Sequence, residues 1–391
     1  MGLEGRYGNG GKRAKRARGL RGRRGRRGGW GCEGYDWGYF EGVSISTIEF
    51  TASGSVRILD QRLLPGEETY ADLTSVEEVA LAIETLAVRG APLIGIAAGM
   101  GVVMGAMEIG NWELETGGSG VVDVRQAVNR AIERLRATRP TAVNLNWALD
   151  RMANVAASAD ADSMFDVLLD EAKAIHAEDA EMCRRIGEAG APLVKDGATV
   201  ITHCNAGALA TGGMGTALAP IYVAGEEGRV ARVMVPETRP LLQGARLTAW
   251  ELARSDIPCT LMTDSMTASR LSKDDISFVI VGADRIAANG DVANKIGTLG
   301  LALLAKHYGV PFYVAAPRST FDPDTATGAD IPIEQRAAEE VGCIGTQRVA
   351  ADVPVWNPAF DVTPAELITA FISDEGIVEV DEIPGRAVRR T

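Results

Sequence analysis

The stretch Thr199-Val-Ile-Thr-His-Cys-Asn-Ala-Gly-Ala-Leu-Ala-Thr-Gly-Gly-Met-Gly-Thr216 decides how the rest of the chain is read. Residues 198–202 form a short, apolar, β-branched run, the composition of a strand buried on both faces of a parallel sheet. The chain then turns through four glycines before Ala217. Cys204 is therefore expected at the carboxyl end of a strand. Open α/β sheets bind ligands at that edge, because N–H groups of the following helix point there. A thiol so placed is expected to lose its proton more easily than a free one. The alternative is a small buried apolar residue beside a tight turn, since free cysteine is among the most buried residue types.

Working outward, apolar runs at 198–202, 230–235, 258–262, 276–282 and 311–316 recur with helix-like segments between them. That rhythm predicts βαβ units in a doubly wound parallel sheet. Each run ends in a polar cluster (His-Cys-Asn, Pro-Glu-Thr-Arg, Thr-Asp-Ser, Gly-Ala-Asp-Arg, Pro-Arg-Ser-Thr), so five clusters should line one sheet edge. No Gly-x-Gly-x-x-Gly follows a strand with an acidic residue about twenty positions on, so no dinucleotide cofactor is indicated.

Upstream, residues 44–190 read as a smaller α+β domain, with 191–391 as the Rossmann-like one. Runs at 47–50 and 56–59 flank Ala52-Ser-Gly54 as a hairpin would. Ser75-Val-Glu-Glu78 has the pattern of a capping box opening a helix to about Val88. Helical periodicity returns at 125–137, 142–157 and 164–187. The uncharged run between Arg89 and Glu108 has the length of a short membrane span, but its five glycines and the lack of a flanking Trp or Tyr belt predict a tightly packed buried helix.

The formal charge of −12 is unevenly spread. Residues 1–43 carry 11 Lys and Arg against 4 Asp and Glu, and residues 44–391 carry 29 against 48. The acidic body argues against nucleic acid as its main partner, since phosphates would be repelled, and suits either a high-salt habitat or an ordinary acidic cytoplasmic enzyme. The Gly/Arg-rich tail, residues 1–43, lacks the aliphatic residues to build a core and is expected to be disordered. It reads either as a weak RNA-binding arm, with Trp30, Tyr35 and Trp37 free to stack, or as a solvated tail. No apolar segment marks it as a secretory signal. The five cysteines, Cys32, Cys183, Cys204, Cys259 and Cys343, are odd in number, scattered and lack Cys-x-x-Cys spacing, which supports neither a disulfide framework nor a zinc site and fits a reducing cytoplasm. His176, His203 and His307 share no ligand spacing, so no metal is expected.

Several residues could carry chemistry. Asp284 follows the most apolar run, so its carboxyl should be poorly solvated and its pKa raised toward general-acid use, unless it is only a turn or a cap. Arg89 before Gly90-Ala91-Pro92, Arg139 before Pro140, and Lys295 after Asn294 fall where loops are expected and together could focus positive potential on a small anion. Gln243 offers a donor and an acceptor suited to sugar hydroxyls.

These residues sit in blocks that carry a family resemblance. Arg89-Gly-Ala-Pro-Leu-Ile-Gly-Ile-Ala-Ala98, Arg139-Pro-Thr-Ala-Val-Asn-Leu145, Thr202-His-Cys-Asn-Ala-Gly-Ala-Leu-Ala-Thr-Gly-Gly213, Glu237-Thr-Arg-Pro-Leu-Leu-Gln-Gly-Ala-Arg-Leu-Thr248, Gly282-Ala-Asp-Arg-Ile-Ala287 and Ala293-Asn-Lys-Ile-Gly297 resemble the signature blocks of methylthioribose-1-phosphate isomerases. The broad family also holds ribose-1,5-bisphosphate isomerases and regulatory subunits of the translation-initiation exchange factor. The resemblance spans roughly residues 46–376. It implies a cofactor-free homodimeric aldose–ketose isomerase of methionine salvage, with Cys204 and Asp284 catalytic. Arg89, Gly90, Ala91, Arg139, Gln243, Asn294 and Lys295 are the implied substrate-binding set. The chain departs from the family pattern at Asn146, at Arg318 and throughout the tail; a cation at Arg318 would favour a second phosphate.

Overall fold

The structure is a computed structural model that describes residues 45–116, 123–140, 142–229 and 231–383. The basic tail, with the disorder and RNA binding expected of it, lies outside the described residues.

The expected hairpin is present as β1 (Ile48–Phe50) and β2 (Val56–Leu59), and an unforeseen β3 (Tyr70–Leu73) completes a three-stranded antiparallel sheet. Helix α1 (Val76–Glu84) starts at Ser75, whose side chain accepts the Glu78 N–H. The carboxylate of Glu78 reaches Thr74 instead of returning to Ser75, so only half of the capping box forms. The helix ends at Glu84, four residues before the expected Val88, because Leu86 adopts a left-handed φ of 61° and swings the chain toward Arg89.

The apolar run becomes α2 (Ala91–Thr116), which packs against α1, α3 (Val124–Arg136), α4 (Val143–Ser158) and α5 (Met164–Gly190). Its glycines allow that contact: a Cβ on Gly105 would lie 2.6 Å from Ala131 of α3. The 27-residue α5 joins two cores, giving Ile175 to the helical layer and Cys183 and Ile186 to the sheet.

The rest of the chain builds β4 (Thr199–Ile201), α6 (Ala219–Glu226), β5 (Arg232–Pro236), α7 (Ala249–Arg254), β6 (Cys259–Met262), α8 (Thr267–Leu271) and β7 (Phe278–Val281). There follow β8 (Arg285–Ala287), β9 (Val292–Lys295), α9 (Thr298–His307), β10 (Phe312–Ala315), β11 (Phe321–Asp322) and α10 (Ala338–Gly342). The last strands are β12 (Cys343–Ile344), β13 (Gln347–Arg348), β14 (Phe360–Thr363), β15 (Ala370–Ser373) and β16 (Gly376–Glu379).

All five apolar runs enter one seven-stranded sheet of order β16-β15-β10-β7-β4-β5-β6, parallel except for β16. Alternate residues feed opposite faces: Val200, Phe278 and Ile280 join one core, and Ile201, Val279 and Val281 the other. The edge strand β6 leaves Thr260 and Leu261 exposed, whereas burial on both faces is why β4, β5, β7 and β10 read as apolar runs. Truncating one of them, as in Ile280→Ala, would cost about 2–5 kcal/mol. After β4 the chain moves outward through β5 and β6, then returns to place β7 on the other side of β4. A crevice opens where the direction reverses.

One expectation is corrected here. Lys295, anticipated on a loop, ends strand β9, and Asn294 precedes it in the same strand. Strand β9 pairs with β8 and with the distant β14 in a separate sheet of order β11-β8-β9-β14.

Candidate active site

A cavity of about 170 Å³ lies at the carboxyl ends of β4, β7 and β10. Cys204, Asp284, Arg89, Gly90, Ala91, Arg139, Gln243, Asn294 and Lys295 all contribute to its wall.

Strand β4 delivers His203 and Cys204, and the chain breaks from extended geometry at Cys204, whose φ is 60°. The glycine-rich loop then folds on itself, with Gly207 bridging Gly215 and Thr216 N–H donating to Ala206 O at 2.9 Å. Behind it the fully buried Glu251 carboxylate accepts from Ala208 N (3.0 Å), Asn205 Nδ2 (2.7 Å) and Tyr222 OH (2.8 Å). A Cβ on Gly207 would meet Glu251 Oε1 at 1.6 Å, so only glycine admits this anchor. Asp179 of α5 fastens the far side of the loop by accepting Gly212 N–H at 2.6 Å.

The thiol does not behave as its strand-end position suggested. Burial pushes the Cys204 pKa up, and Lys295 and Arg89 only partly pull it back. Helix α6 begins at Ala219, well beyond the loop, so its N-terminus does not immediately follow the thiol. The N-terminal turn of α2 lines the cavity instead, through Ala91, Pro92 and Ile94. Pro92 has no N–H and the Ile94 N–H donates to Gly90 O at 3.0 Å, so Ala91 N–H and the positive dipole end are what suit a phosphate. Asp284, just past β7, has its pKa raised by burial against the pull of Lys295, Arg139 and Arg89. Both shifts run toward the protonated form.

Arg89 is 9% exposed and held by neutral groups: Nε donates to Gln61 Oε1 at 2.8 Å, and the other nitrogens donate to Asn205 O and Oδ1. Gly90, with φ of 108°, lets the chain turn from Arg89 into α2. Arg139 precedes α4 and donates to Glu334 at 3.1 Å, and Glu334 also accepts from Arg336 at 2.9 Å. Asn146 braces that turn, giving Nδ2 to Pro140 O and Ala142 O and accepting from Arg136. Lys295 Nζ donates to Ala359 O at 3.0 Å and sits 4.8 Å above the Phe360 ring. Asn294 Nδ2 donates to Thr298 Oγ1 at 3.1 Å. The Gln243 Oε1 is buried with no hydrogen-bond partner among the described residues, an acceptor that a ligand hydroxyl would satisfy.

Arg318 stands near the same edge but does not line the cavity. Its guanidinium lies over Phe321 (5.0 Å) and 3.9 Å from Glu375. Sequence reasoning missed His203, Asn205 and Arg336 as wall residues. The first two flank Cys204 and were within reach of the motif. Arg336 carried no local signal.

Residues 87–380 match the Initiation factor 2 subunit family. Over 325 residues the chain is 55% identical to a methylthioribose-1-phosphate isomerase from Gemmatimonas aurantiaca, covering 83% of this chain and 91% of the relative. The chain belongs to the methylthioribose-1-phosphate isomerase family. Among solved structures, 5-methylthioribose 1-phosphate isomerase from Pyrococcus horikoshii OT3 superposes with a TM-score of 0.80 at 41% identity, covering 90% of this chain and 97% of that one. The fold extends within the broader family to a protein from A. fulgidus described as translation initiation factor eIF-2B, subunit delta. That structure gives a TM-score of 0.77 at 41% identity over 86% of this chain and 96% of its own.

Proposed function

We infer that the chain is an aldose–ketose isomerase that converts 5-methylthioribose 1-phosphate to 5-methylthioribulose 1-phosphate in methionine salvage. The observation that carries this reading is the 55% identity to an isomerase of that name over nearly its whole length.

The chemistry follows from the substrate. Its anomeric oxygen is esterified, so the ring cannot open to a free aldehyde; ring opening and transfer of hydrogen from C2 to C1 are coupled. Asp284, with its pKa raised, donates a proton to the ring oxygen as the C1–O bond breaks, and the C2 hydrogen passes to C1. The proton lost as the C2 carbonyl forms is accepted by Cys204 in its thiolate form, so one proton is given and one taken. Arg89, Arg139, Lys295 and the α2 N-terminus take the phosphate, Gly90 and Ala91 bring backbone N–H groups to it, and Gln243 and Asn294 orient hydroxyls. The water-poor wall strengthens each of these interactions. No cofactor enters this scheme.

Apolar wall residues, among them Leu86, Ile94, Leu241 and Ile331, suit a methylthio group, which gains about 0.8 kcal/mol per buried methylene-sized unit. A second phosphate against them would be desolvated without a partner. We further read residues 191–391 as a Rossmann-like domain and 44–190 as a smaller α+β domain, in a cytoplasmic homodimer. The reversal of strand order at β4 supports the first part of that reading.

The test is turnover of purified protein on 5-methylthioribose 1-phosphate and ribose 1,5-bisphosphate side by side. Higher kcat/KM is expected for the first. A preference for the bisphosphate would replace the salvage assignment with a bisphosphate isomerase, and no turnover of either would leave a regulatory protein.

A further inference from the structure

We propose that Thr238 and Thr248 are positioning residues that clamp Cys204 in the left-handed conformation from which its thiol faces the cavity. This deepens the reading above and rests on Cys204 meeting the substrate.

A non-glycine residue at φ near 60° persists only where its surroundings over-determine it. At Cys204 both flanking peptide groups are held. Its N–H donates to Thr238 Oγ1 at 2.9 Å, and its carbonyl accepts from Thr248 Oγ1 at 2.6 Å. Both threonines are fully buried and neither lines the cavity, so they act through Cys204 rather than on a ligand.

Each hydroxyl is itself fixed. Thr238 donates to Pro236 O, and Thr248 accepts from Asn205 Nδ2 at 3.1 Å, which ties the clamp to the amide that holds Arg89. Thr238 is also left-handed, with φ of 63°, and its N–H is held by Asp264 Oδ1 at 2.8 Å while Arg239 N–H takes the second oxygen at 2.7 Å. Between the two threonines the chain makes a π-helical turn, Gly244–Thr248, which packs so tightly that a Cβ on Gly244 would lie 1.9 Å from Pro236 O. The block from Glu237 to Thr248 therefore does two things. Its middle presents Gln243 to the cavity, and its two threonines grip the cysteine.

The test replaces each hydroxyl by a methyl of the same shape, in Thr238→Val and Thr248→Val, with the serine variants as conservative rescue. Each valine variant is expected to lose about tenfold in kcat, the scale of one lost hydrogen bond, with KM within about twofold. The serine variants should recover to within about threefold of wild type. Independently of turnover, iodoacetamide labelling of Cys204, mapped by mass spectrometry, should change by about threefold at fixed pH, because a relaxed thiol leaves the buried position beside Lys295 and Arg89 that sets its reactivity. If the valine variants do not fold, Asp264→Asn loosens Thr238 from outside and should move kcat and labelling in the same direction.

A folded variant with unchanged kcat and unchanged labelling overturns the clamp, as does a loss confined to KM. Wild-type protein that turns over neither sugar phosphate would sink the functional reading. The labelling arm would still decide the clamp.

Discussion

The two sides of the cavity hold their arginines in opposite ways. On the inner side Arg89 is buried among amide and carbonyl oxygens, and the carboxyls of Asp284 in the wall and of Glu251 and Asp179 behind the glycine-rich loop all have pKa values raised by burial. On the outer side Arg139 and Arg336 share Glu334, whose carboxylate is held below its usual range because the two arginines outweigh its burial. Arg89 thus offers its charge to whatever enters, whereas Arg139 must first give up an ion pair. The inner side is set by desolvation, and the outer side by charge pairing that salt can screen.

The largest effect expected of this contrast is at the chemical centre. Cys204→Ser and Asp284→Asn, both nearly isosteric, should each lower kcat by at least about a hundredfold in folded protein. Near-normal turnover at saturating substrate in either variant would remove that residue from the reaction.

The next effect separates the two sides directly. Arg89→Ala should weaken substrate binding by about 3 kcal/mol, the upper range for a hydrogen bond to a charged group, and Arg139→Ala by about 1 kcal/mol. Inorganic phosphate inhibition measured on both variants gives the comparison, and equal losses would break it.

A third prediction sharpens the contrast through pH. The Asp179 pKa is raised by burial from 3.8 to about 6, so the folded protein binds this proton more tightly than the unfolded chain does. Its stabilisation is complete below the unfolded value and is lost as pH rises through about 6. Glu334, lowered, works the other way: its stabilisation is present above the unfolded value and lost as pH falls through the folded one. Denaturant titrations of Asp179→Asn should therefore lack the decline that wild type shows between about pH 4 and pH 6. Parallel curves would refute the assignment.

The smallest effect is at Arg318. Because its side chain lies against Phe321 and Glu375 and not in the cavity wall, Arg318→Leu should leave the ratio of kcat/KM values for the two sugar phosphates unchanged within about twofold. A collapse of that ratio would show that the outer side reaches the far end of the sugar.

What the sequence disclosed followed from local pattern. Four of the five strand runs were legible because they are buried on both faces, the edge strand β6 being the exception, and the clusters at the strand ends carried Cys204 and Asp284 to one edge. The sheet around β9 was not legible, since its short strands find partners far along the chain: Lys295 pairs with Phe360. The raised pKa of Asp284 could be anticipated from the apolar strand before it. That of Cys204 was misjudged, because desolvation depends on what packs over the thiol and not on the motif that contains it. Glu251 and Asp179 left no trace either. Each is one carboxylate in an ordinary helical pattern, and the donors that make its burial tolerable come from the folded glycine loop and, for Glu251, also from Tyr222 of α6.

Helix α2 has a consequence for how the protein is made. Residues Ala91–Glu108 are long and apolar enough to cross a membrane, yet 78% of that window is buried in the fold, partly under α4 and α5, which come later in the chain. A ribosome working at roughly 5–20 residues per second needs several seconds after α2 emerges to deliver the end of α5 at Gly190. Through that interval the nascent chain carries a bare apolar rod. Chaperones or membrane-insertion machinery that sample emerging chains would meet it before its own covering exists, and a message truncated after α3 would leave it permanently uncovered.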